Sequence, residues 1–151
     1  MTAAKSARKY VPKPEGLNLE FHLACLEAGT LCIQQCSDCG QFRHPQRWYC
    51  PSCHSRNYEF TPVGGGGHIY SMAVNHFTVD RGWVDELPYI TAVVELDEGP
   101  RIVGSLRDIQ PGEASIGQPV QVSVEARGEE FAYLWVDNAE ATDQHSFTGQ
   151  R

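Results

Sequence analysis

The sequence predicts a mainly β protein in which an N-terminal helix and a zinc ribbon precede a five-stranded barrel of the OB type. Three observations predict this fold. Four cysteines form two Cys-x-x-Cys pairs in the first third of the chain, and the second half alternates apolar and polar residues with a period of two. Five short strands with a longer connection before the fourth suit a small Greek-key barrel.

The cysteine pairs are Cys36/Cys39 and Cys50/Cys53, and ten residues separate them. Each pair suits a tight turn that aims two thiolates at one point. Two such turns supply the four sulfur ligands of a tetrahedral structural zinc site, which has no open position for a substrate. The spacing is slightly shorter than in the usual zinc ribbon.

Two other roles for the cysteines fit less well. A disulfide framework belongs to secreted domains, and the opening residues 1–9 contain no apolar segment of a secretion signal, so we expect a cytoplasmic protein. A thioredoxin-type redox pair lies at a strand–helix junction, whereas here two pairs face each other. Cys25 and Cys32 lie outside the tetrad, and neither has an evident base beside it, so we expect both to be small buried apolar residues.

The charge is divided unevenly along the chain. Residues 1–56 carry seven basic and four acidic side chains, whereas residues 57–151 carry five basic and fifteen acidic ones. An acidic surface repels phosphate backbones, while a basic ribbon attracts small anions or an acidic protein surface. The two halves are therefore expected to face different partners.

A helix is predicted to begin near residue 18, with Asn18 as its N-terminal cap and Gly29 as its stop. Leu19, Leu23 and Leu26 recur at helical spacing and form the expected apolar stripe. A short strand should then lead into the first cysteine pair, with the ribbon ending near residue 57.

The expected organisation is a flexible arm at 1–17, the helix and ribbon at 18–60, the OB domain at 61–140 and a flexible tail at 141–151. The four glycines at 64–67 are not followed by the Lys-Ser/Thr of a phosphate-binding loop, so they predict a hinge or strand entry. The predicted barrel strands are 68–79, 89–97, 101–107, 119–126 and 131–137.

Several motifs together resemble one bacterial and archaeal family over roughly residues 18–137. They are GTL at 29–31, CSDCG at 36–40, HPQR at 44–47, CPSC at 50–53, GHIYS at 67–71, PY at 88–89 and LDEGPR at 96–101. The family joins a rubredoxin-like zinc ribbon to an acyl-CoA-associated OB fold and is catalogued as domain of unknown function number thirty-five.

The resemblance implies a non-catalytic partner of thiolase-superfamily enzymes, which act on coenzyme A (CoA) thioesters. The hetero-oligomeric partner's own cysteine and histidines would perform the chemistry. Two other classes stay open: a zinc-ribbon OB protein that binds single-stranded nucleic acid, and a self-contained enzyme using Cys25 or Cys32. The acidic second half argues against the first, and the absence of an adjacent base argues against the second.

A basic and aromatic group around the predicted metal site is a candidate CoA surface. Guanidinium groups bind phosphates bidentately, and an aromatic ring can stack on adenine. The alternative is a solvated basic face with Trp48 packed over the ribbon. The group consists of Phe42, Arg43, His44, Arg47, Trp48 and Arg56.

The last predicted strand carries Phe131, Tyr133 and Trp135 on one face. Similar stripes stack bases in nucleic-acid-binding OB folds, but such platforms also need a basic groove. We therefore expect the stripe to be core or a partner interface. His68 and His76 are expected to be packed or surface histidines without a catalytic role.

Overall fold

The computed structural model describes residues 8–139. Within that range no helix is long and apolar enough to cross a lipid bilayer. The elements are α1 (Gly16–Ala28), β1 (Cys32–Cys36), β2 (Phe42–Arg43), β3 (Tyr58–Pro62), β4 (Gly66–Asn75), a 3-10 helix (Arg81–Glu86), β5 (Tyr89–Leu96), β6 (Arg101–Leu106), β7 (Pro119–Ala126) and β8 (Ala132–Asn138). The predicted tail at 141–151 lies outside the described residues.

Helix α1 begins two residues earlier than predicted. Its N-cap is Glu15, which makes no capping side-chain hydrogen bond, so the prediction that Asn18 caps the helix is wrong. Asn18 lies within the first turn instead. The predicted stop is confirmed, because Gly29 adopts a left-handed φ of 66° and its N–H donates to the Leu26 carbonyl at 3.3 Å.

The buried face of α1 differs from the predicted leucine stripe. Leu23 is 42% exposed, whereas Phe21, His22 and Cys25 are buried. The helix contacts both the ribbon strands and the barrel, and Leu19 and Leu26 of the predicted stripe are half-buried there. The buried His22 has a hydrogen-bond partner, since its Nδ1 accepts the Ala132 N–H at 3.2 Å.

The ribbon is a three-stranded antiparallel sheet in the order β2-β1-β3. Strand β3 pairs with the whole of β1, from Cys32 opposite Pro62 to Cys36 opposite Tyr58. The ribbon sheet therefore continues to Pro62, a few residues past the end expected near residue 57. The residues of β3 alternate between aromatic and polar side chains, which is typical of a strand. The glycine run that follows made this short pattern harder to recognise.

The five predicted barrel strands are confirmed and form a closed barrel in the order β4-β5-β6-β8-β7. Antiparallel hairpins join β4 to β5, β5 to β6 and β7 to β8. A short parallel pairing joins β6 to β8, with Ser105 opposite Trp135 and Leu106 opposite Val136, and antiparallel pairing of β4 with β7 closes the barrel. Strand β4 spans Gly66–Asn75 and so ends before the predicted residue 79.

The glycine run serves close backbone packing. A Cβ at Gly67 would overlap the Glu95 carbonyl of β5, and one at Gly65 would overlap the Val122 carbonyl of β7. Gly64 has open space around it. The run therefore lets β4 enter the barrel between its two neighbours, in agreement with the predicted strand entry.

A single hydrophobic core connects the helix, the ribbon and the barrel. Leu31 and Ile33 of the ribbon are fully buried in the same cluster as Ile69 and Val94 of the barrel. The connection between them is also ordered, because the Val63 N–H donates to the Leu31 carbonyl at 2.9 Å. The ribbon is thus fixed against the barrel by packing along the whole junction.

Candidate functional site

The four predicted ligand cysteines converge on one point. The Sγ atoms of Cys36 and Cys53 are 3.6 Å apart, as are those of Cys39 and Cys50, and all four lie within 4.8 Å of one another. Tetrahedral zinc with sulfur bonds of about 2.3 Å requires sulfur–sulfur separations of ~3.8 Å. The cluster therefore fits a structural zinc ion held by four thiolates.

Two equivalent knuckles position these thiols. In the first, the Cys36 N–H donates to the Gln41 carbonyl and the Gly40 N–H donates to the Cys36 carbonyl, both at 2.9 Å. The second knuckle repeats both bonds, with Cys50 and His54 in the equivalent places. This repeated geometry explains why the sequence needs two residues between the cysteines of each pair.

The knuckle backbone favours the ionised form of the first thiol in each pair. The backbone N–H of Cys39 is the main cause that lowers the pKa of Cys36, to about 6. The backbone N–H of Cys53 is the main cause that lowers the pKa of Cys50. Thiolates are the ligand form, so this backbone favours the metal-binding form of Cys36 and Cys50.

Asp38 joins the two knuckles outside the cysteine cluster. Its Oδ2 accepts a hydrogen bond from Asn57 Nδ2 at 3.1 Å and another from the Ser55 hydroxyl. Its carboxylate therefore holds the cysteine loops in position relative to each other.

Arg43 does not present its charge at the surface. It is 6% exposed, and its Nε donates to Gln34 Oε1 at 3.0 Å while its Nη2 donates to the Arg47 carbonyl at 3.2 Å. The same Gln34 oxygen accepts the Arg47 N–H at 2.8 Å. Gln34 was not among the predicted site residues. Its side-chain oxygen binds both Arg43 and Arg47 and so stabilises the loop between the cysteine pairs.

The other members of the predicted CoA group divide between surface and interior. Arg47, Trp48 and Arg56 are exposed, and the Arg56 guanidinium lies 5.4 Å above the ring of the exposed Tyr49. Phe42 packs partly against the core. The surface part of the group is therefore Arg47, Trp48 and Arg56, with Tyr49 as a neighbour that sequence reasoning did not select.

His44 is a packed residue. Its ring centroid lies 5.4 Å from that of Phe21. Burial, followed by the proximity of His22, lowers the pKa of His44 to about 4. The imidazole is neutral at pH 7 and contributes no positive charge to the basic surface.

A cleft of about 690 Å³ separates the ribbon from the β5–β6 turn. The ribbon wall includes Phe42, Arg43 and Arg47, and the barrel wall is formed by Glu98 to Pro100. The cleft brings this turn opposite four members of the predicted CoA group.

The aromatic stripe on β8 is half-buried and largely covered by the chain itself. The Arg127 guanidinium lies 3.7 Å above the Tyr133 ring, and Trp83 and Trp135 lie 5.6 and 4.8 Å from it. Phe131 packs separately, against His22 at 4.5 Å. The ring faces that would stack bases are therefore already in contact with other side chains.

The two remaining cysteines lie in the core. Burial raises the pKa of Cys25 to about 12, and its Sγ accepts the Cys32 N–H at 3.3 Å. Both residues are buried, as predicted. An activated nucleophile needs the opposite environment, one that lowers the thiol pKa and admits substrate.

Comparison with known proteins identifies the family. Residues 26–59 match the rubredoxin-like zinc ribbon domain of ChsH2, and residues 60–125 match the C-terminal OB-fold domain of ChsH2. A solved structure described as an Ltp2-ChsH2(DUF35) aldolase has a chain similar to this one, with a TM-score of 0.75 and 31% identity, covering 85% of this chain and 99% of that chain. The chain belongs to the ChsH2 (DUF35) family. The resemblance seen in the sequence is thereby confirmed.

Two relatives are named as subunits of enzymes that act on CoA thioesters. The benzoylsuccinyl-CoA thiolase subunit BbsA of Thauera aromatica is 31% identical over 82% of this chain and 86% of its own length. A probable enoyl-CoA hydratase alpha subunit of Thermomonospora curvata is 40% identical over 66% of this chain. This DUF35 chain spans 31% of the length of that second relative.

Proposed function

We propose that this DUF35 protein is a non-catalytic, zinc-stabilised subunit of a thiolase-like or aldolase enzyme that acts on CoA thioesters. The observation that carries the proposal is the closed four-cysteine site in a ribbon fixed to an OB barrel by one core. Such a metal site organises the chain and leaves no position for substrate. The names of the relatives supply the enzyme class.

Carbon–carbon bond chemistry is assigned to the partner subunit because the reactive groups of this chain are committed elsewhere. The four tetrad thiols serve as metal ligands in the proposal, and the pKa of Cys25 is raised to about 12 by burial. His44 is held neutral inside the ribbon junction. The chain would thus brace the catalytic subunit and help to hold its CoA thioester.

The exposed part of the ribbon supports a role in CoA binding. Arg47 and Arg56 can contact phosphates, while Trp48 and Tyr49, both more than half exposed, can stack on adenine. The guanidinium of Arg43 is used internally, so we assign it no phosphate contact.

The partner contact is proposed at the β8 stripe. Phe131, Tyr133 and Trp135 are half-buried, and Trp83 and Arg127 extend the same aromatic and cationic surface. Aromatic rings and arginines dominate the energy of protein interfaces. The half-buried rings keep part of their surface exposed for a protein partner, whereas a stacked base would need a free ring face, and the Tyr133 face is covered by Arg127.

The proposal is tested by co-expressing the tagged chain with a thiolase-like or aldolase protein from its source organism. We expect the two to co-purify in a fixed ratio and the thioester reaction to require both. Turnover of a thioester by the isolated chain, or failure of the two proteins to associate, would overturn the proposal.

A paired substitution tests the CoA surface. The double variant Arg47→Ala/Arg56→Ala should bind CoA at least tenfold more weakly, because each lost charge-assisted contact is worth about 1.5–3 kcal/mol. The matched control Arg8→Ala/Lys13→Ala removes two exposed cations far from the ribbon loops in the sequence. Equal affinities for CoA in both variants would contradict the assignment of Arg47 and Arg56.

A further inference from the structure

The connection between β4 and β5, residues 76–88, is the longest in the barrel and carries three exposed large apolar side chains. Phe77 is 78% exposed, Val79 91% and Val84 51%. Among residues 8–139 no large apolar side chain is more exposed than Phe77 and Val79. Single apolar residues are normal on a protein surface, but a group of them in one loop marks an interaction site.

The first half of this β4–β5 loop is held in place by hydrogen bonds. Asp80 accepts the Tyr10 N–H at 3.0 Å, and the Thr78 hydroxyl accepts the Asp80 N–H at 3.2 Å. The side chain of Thr78 is thus used within the protein, while its two neighbours Phe77 and Val79 face solvent. The loop therefore presents these two side chains in a defined position.

The segment before α1 packs on the second half of the loop. A Cβ on Gly82 would lie 2.6 Å from the Lys9 Cα, so the two backbones are in direct contact. Lys9 also forms an ion pair with Glu86 and lies 4.2 Å above the Trp83 ring. Trp83 in turn packs 5.6 Å from Tyr133 of the β8 stripe. The loop is thus fixed to the barrel while its apolar side chains stay uncovered.

The size of the loop surface indicates what can cover it. The three apolar residues together expose on the order of 400 Å², about half of the ~800 Å² that each partner contributes to a stable interface. Two copies of the loop packed on each other would therefore provide too little area for a stable dimer. Through Trp83 the loop is continuous with the β8 stripe, so one large partner can cover both surfaces.

The charges around the loop argue against a lipid surface as its partner. Residues 80–86 contain three acidic side chains and one basic one, Arg81, and Lys9 adds a second base at the same place. Anionic headgroups attract segments that carry an excess of basic side chains. An apolar pocket on a protein fits this loop better.

We propose that the β4–β5 loop is the anchor by which this chain docks on its catalytic subunit. Phe77 and Val79 insert into an apolar pocket of that subunit, and the β8 stripe forms the neighbouring contact. The inference rests on the proposed function, which supplies a catalytic subunit as the large partner. Side chains on a loop that is already fixed lose little conformational entropy when they dock, so a few of them can carry much of the affinity.

Calorimetric titrations of the zinc-loaded chain with the thiolase-like or aldolase subunit test the inference. Phe77→Ser/Val79→Ser should bind that subunit at least tenfold more weakly, because the apolar area that docking removes from water is lost. Phe77→Leu/Val79→Ile keeps apolar side chains at both positions and should retain most of the affinity.

The matched control is Ile116→Ser, which removes an exposed apolar side chain from the β6–β7 connection. Ile116 lies at the opposite end of β4 from the loop, because the Gly117 N–H donates to the Ile69 carbonyl. This variant should bind the catalytic subunit as tightly as the wild type. Both serine variants change exposed positions, so both should melt at the wild-type temperature.

Three results would overturn the inference. If Phe77→Ser/Val79→Ser binds the catalytic subunit normally, the loop is not the anchor, while the proposed function stands. If the loss appears instead in self-association of the free chain, measured by sedimentation, or in binding to phosphatidylglycerol vesicles, a second copy or a bilayer covers the loop. If the wild-type chain does not bind the subunit, the proposed function fails and this inference fails with it.

Discussion

Gly40 and His54 occupy equivalent positions in the two cysteine knuckles, and both have a left-handed backbone, with φ of 77° and 60°. Each donates its N–H to the carbonyl of the first cysteine of its knuckle at 2.9 Å. Glycine adopts this conformation without steric strain, whereas a residue with a Cβ does not. The second knuckle therefore carries strain that the first avoids.

Replacing His54 with glycine should stabilise the zinc-loaded protein by about 0.5–1 kcal/mol, because relief of the left-handed strain exceeds the entropy cost of glycine. Urea denaturation with zinc present measures the free energy of unfolding. Gly40→Ala is the reciprocal control and should destabilise by about 1 kcal/mol. If His54→Gly is less stable than the wild type, the imidazole makes a contact that stabilises the protein by more than the left-handed backbone destabilises it.

The gently purified protein should contain one zinc ion per chain, measured by elemental analysis. Cys39→Ser should lose most of this zinc during dialysis against a chelator, because a four-thiolate site depends on every ligand. Cys25→Ala removes a cysteine outside the tetrad and should retain one equivalent. Full zinc content in Cys39→Ser would exclude the four-cysteine ligand set.

Stability should fall as the pH is lowered from about 6.5 to about 4, partly because of His44. The pKa of this histidine is lowered from 6.5 to about 4, so the unfolded chain binds more protons than the folded chain in that window. The contribution is fully present above pH 6.5 and amounts to up to about 3 kcal/mol.

The comparison of His44→Phe with the wild type isolates this effect, since both proteins retain the zinc ligands and His22. Free energies of unfolding measured across the window should depend less steeply on pH in His44→Phe. Parallel curves for the two proteins would mean that His44 protonates without cost in the folded state.

Gly67→Ala should destabilise the protein by at least about 2 kcal/mol, because the new Cβ would overlap the Glu95 carbonyl where β4 and β5 begin to pair. Gly64→Ala, three residues earlier and in open space, should change stability by less than about 0.5 kcal/mol. Thermal melts of both variants provide the measurement. Similar melting temperatures would refute close backbone packing as the role of the run.

The sequence predicted the parts of the fold that depend on local patterns. The cysteine spacing predicted the metal cluster, and the alternation of Ile90, Ala92, Val94 and Leu96 predicted a strand with one buried face, as found. Gly29 predicted the end of the helix because a left-handed stop is a local requirement.

Features that depend on packing between distant elements were not predictable in the same way. Leu23 has helical spacing, yet it is exposed because the helix turns a different face to the ribbon and barrel. Arginine is usually a surface residue. Arg43 is buried instead, because its neighbour across the sheet is Gln34, whose side chain accepts a hydrogen bond from it. The place of Glu98 opposite the ribbon follows from the barrel topology and has no signal in the sequence.

The ribbon and the barrel share one continuous core, so the two domains cannot be expressed as separate fragments. Although two different domain descriptions match the chain, a cut near residue 63 would pass through a common interior and bare the apolar sides of both fragments. Neither fragment would be a useful expression product. The two modules therefore fold and unfold as one unit.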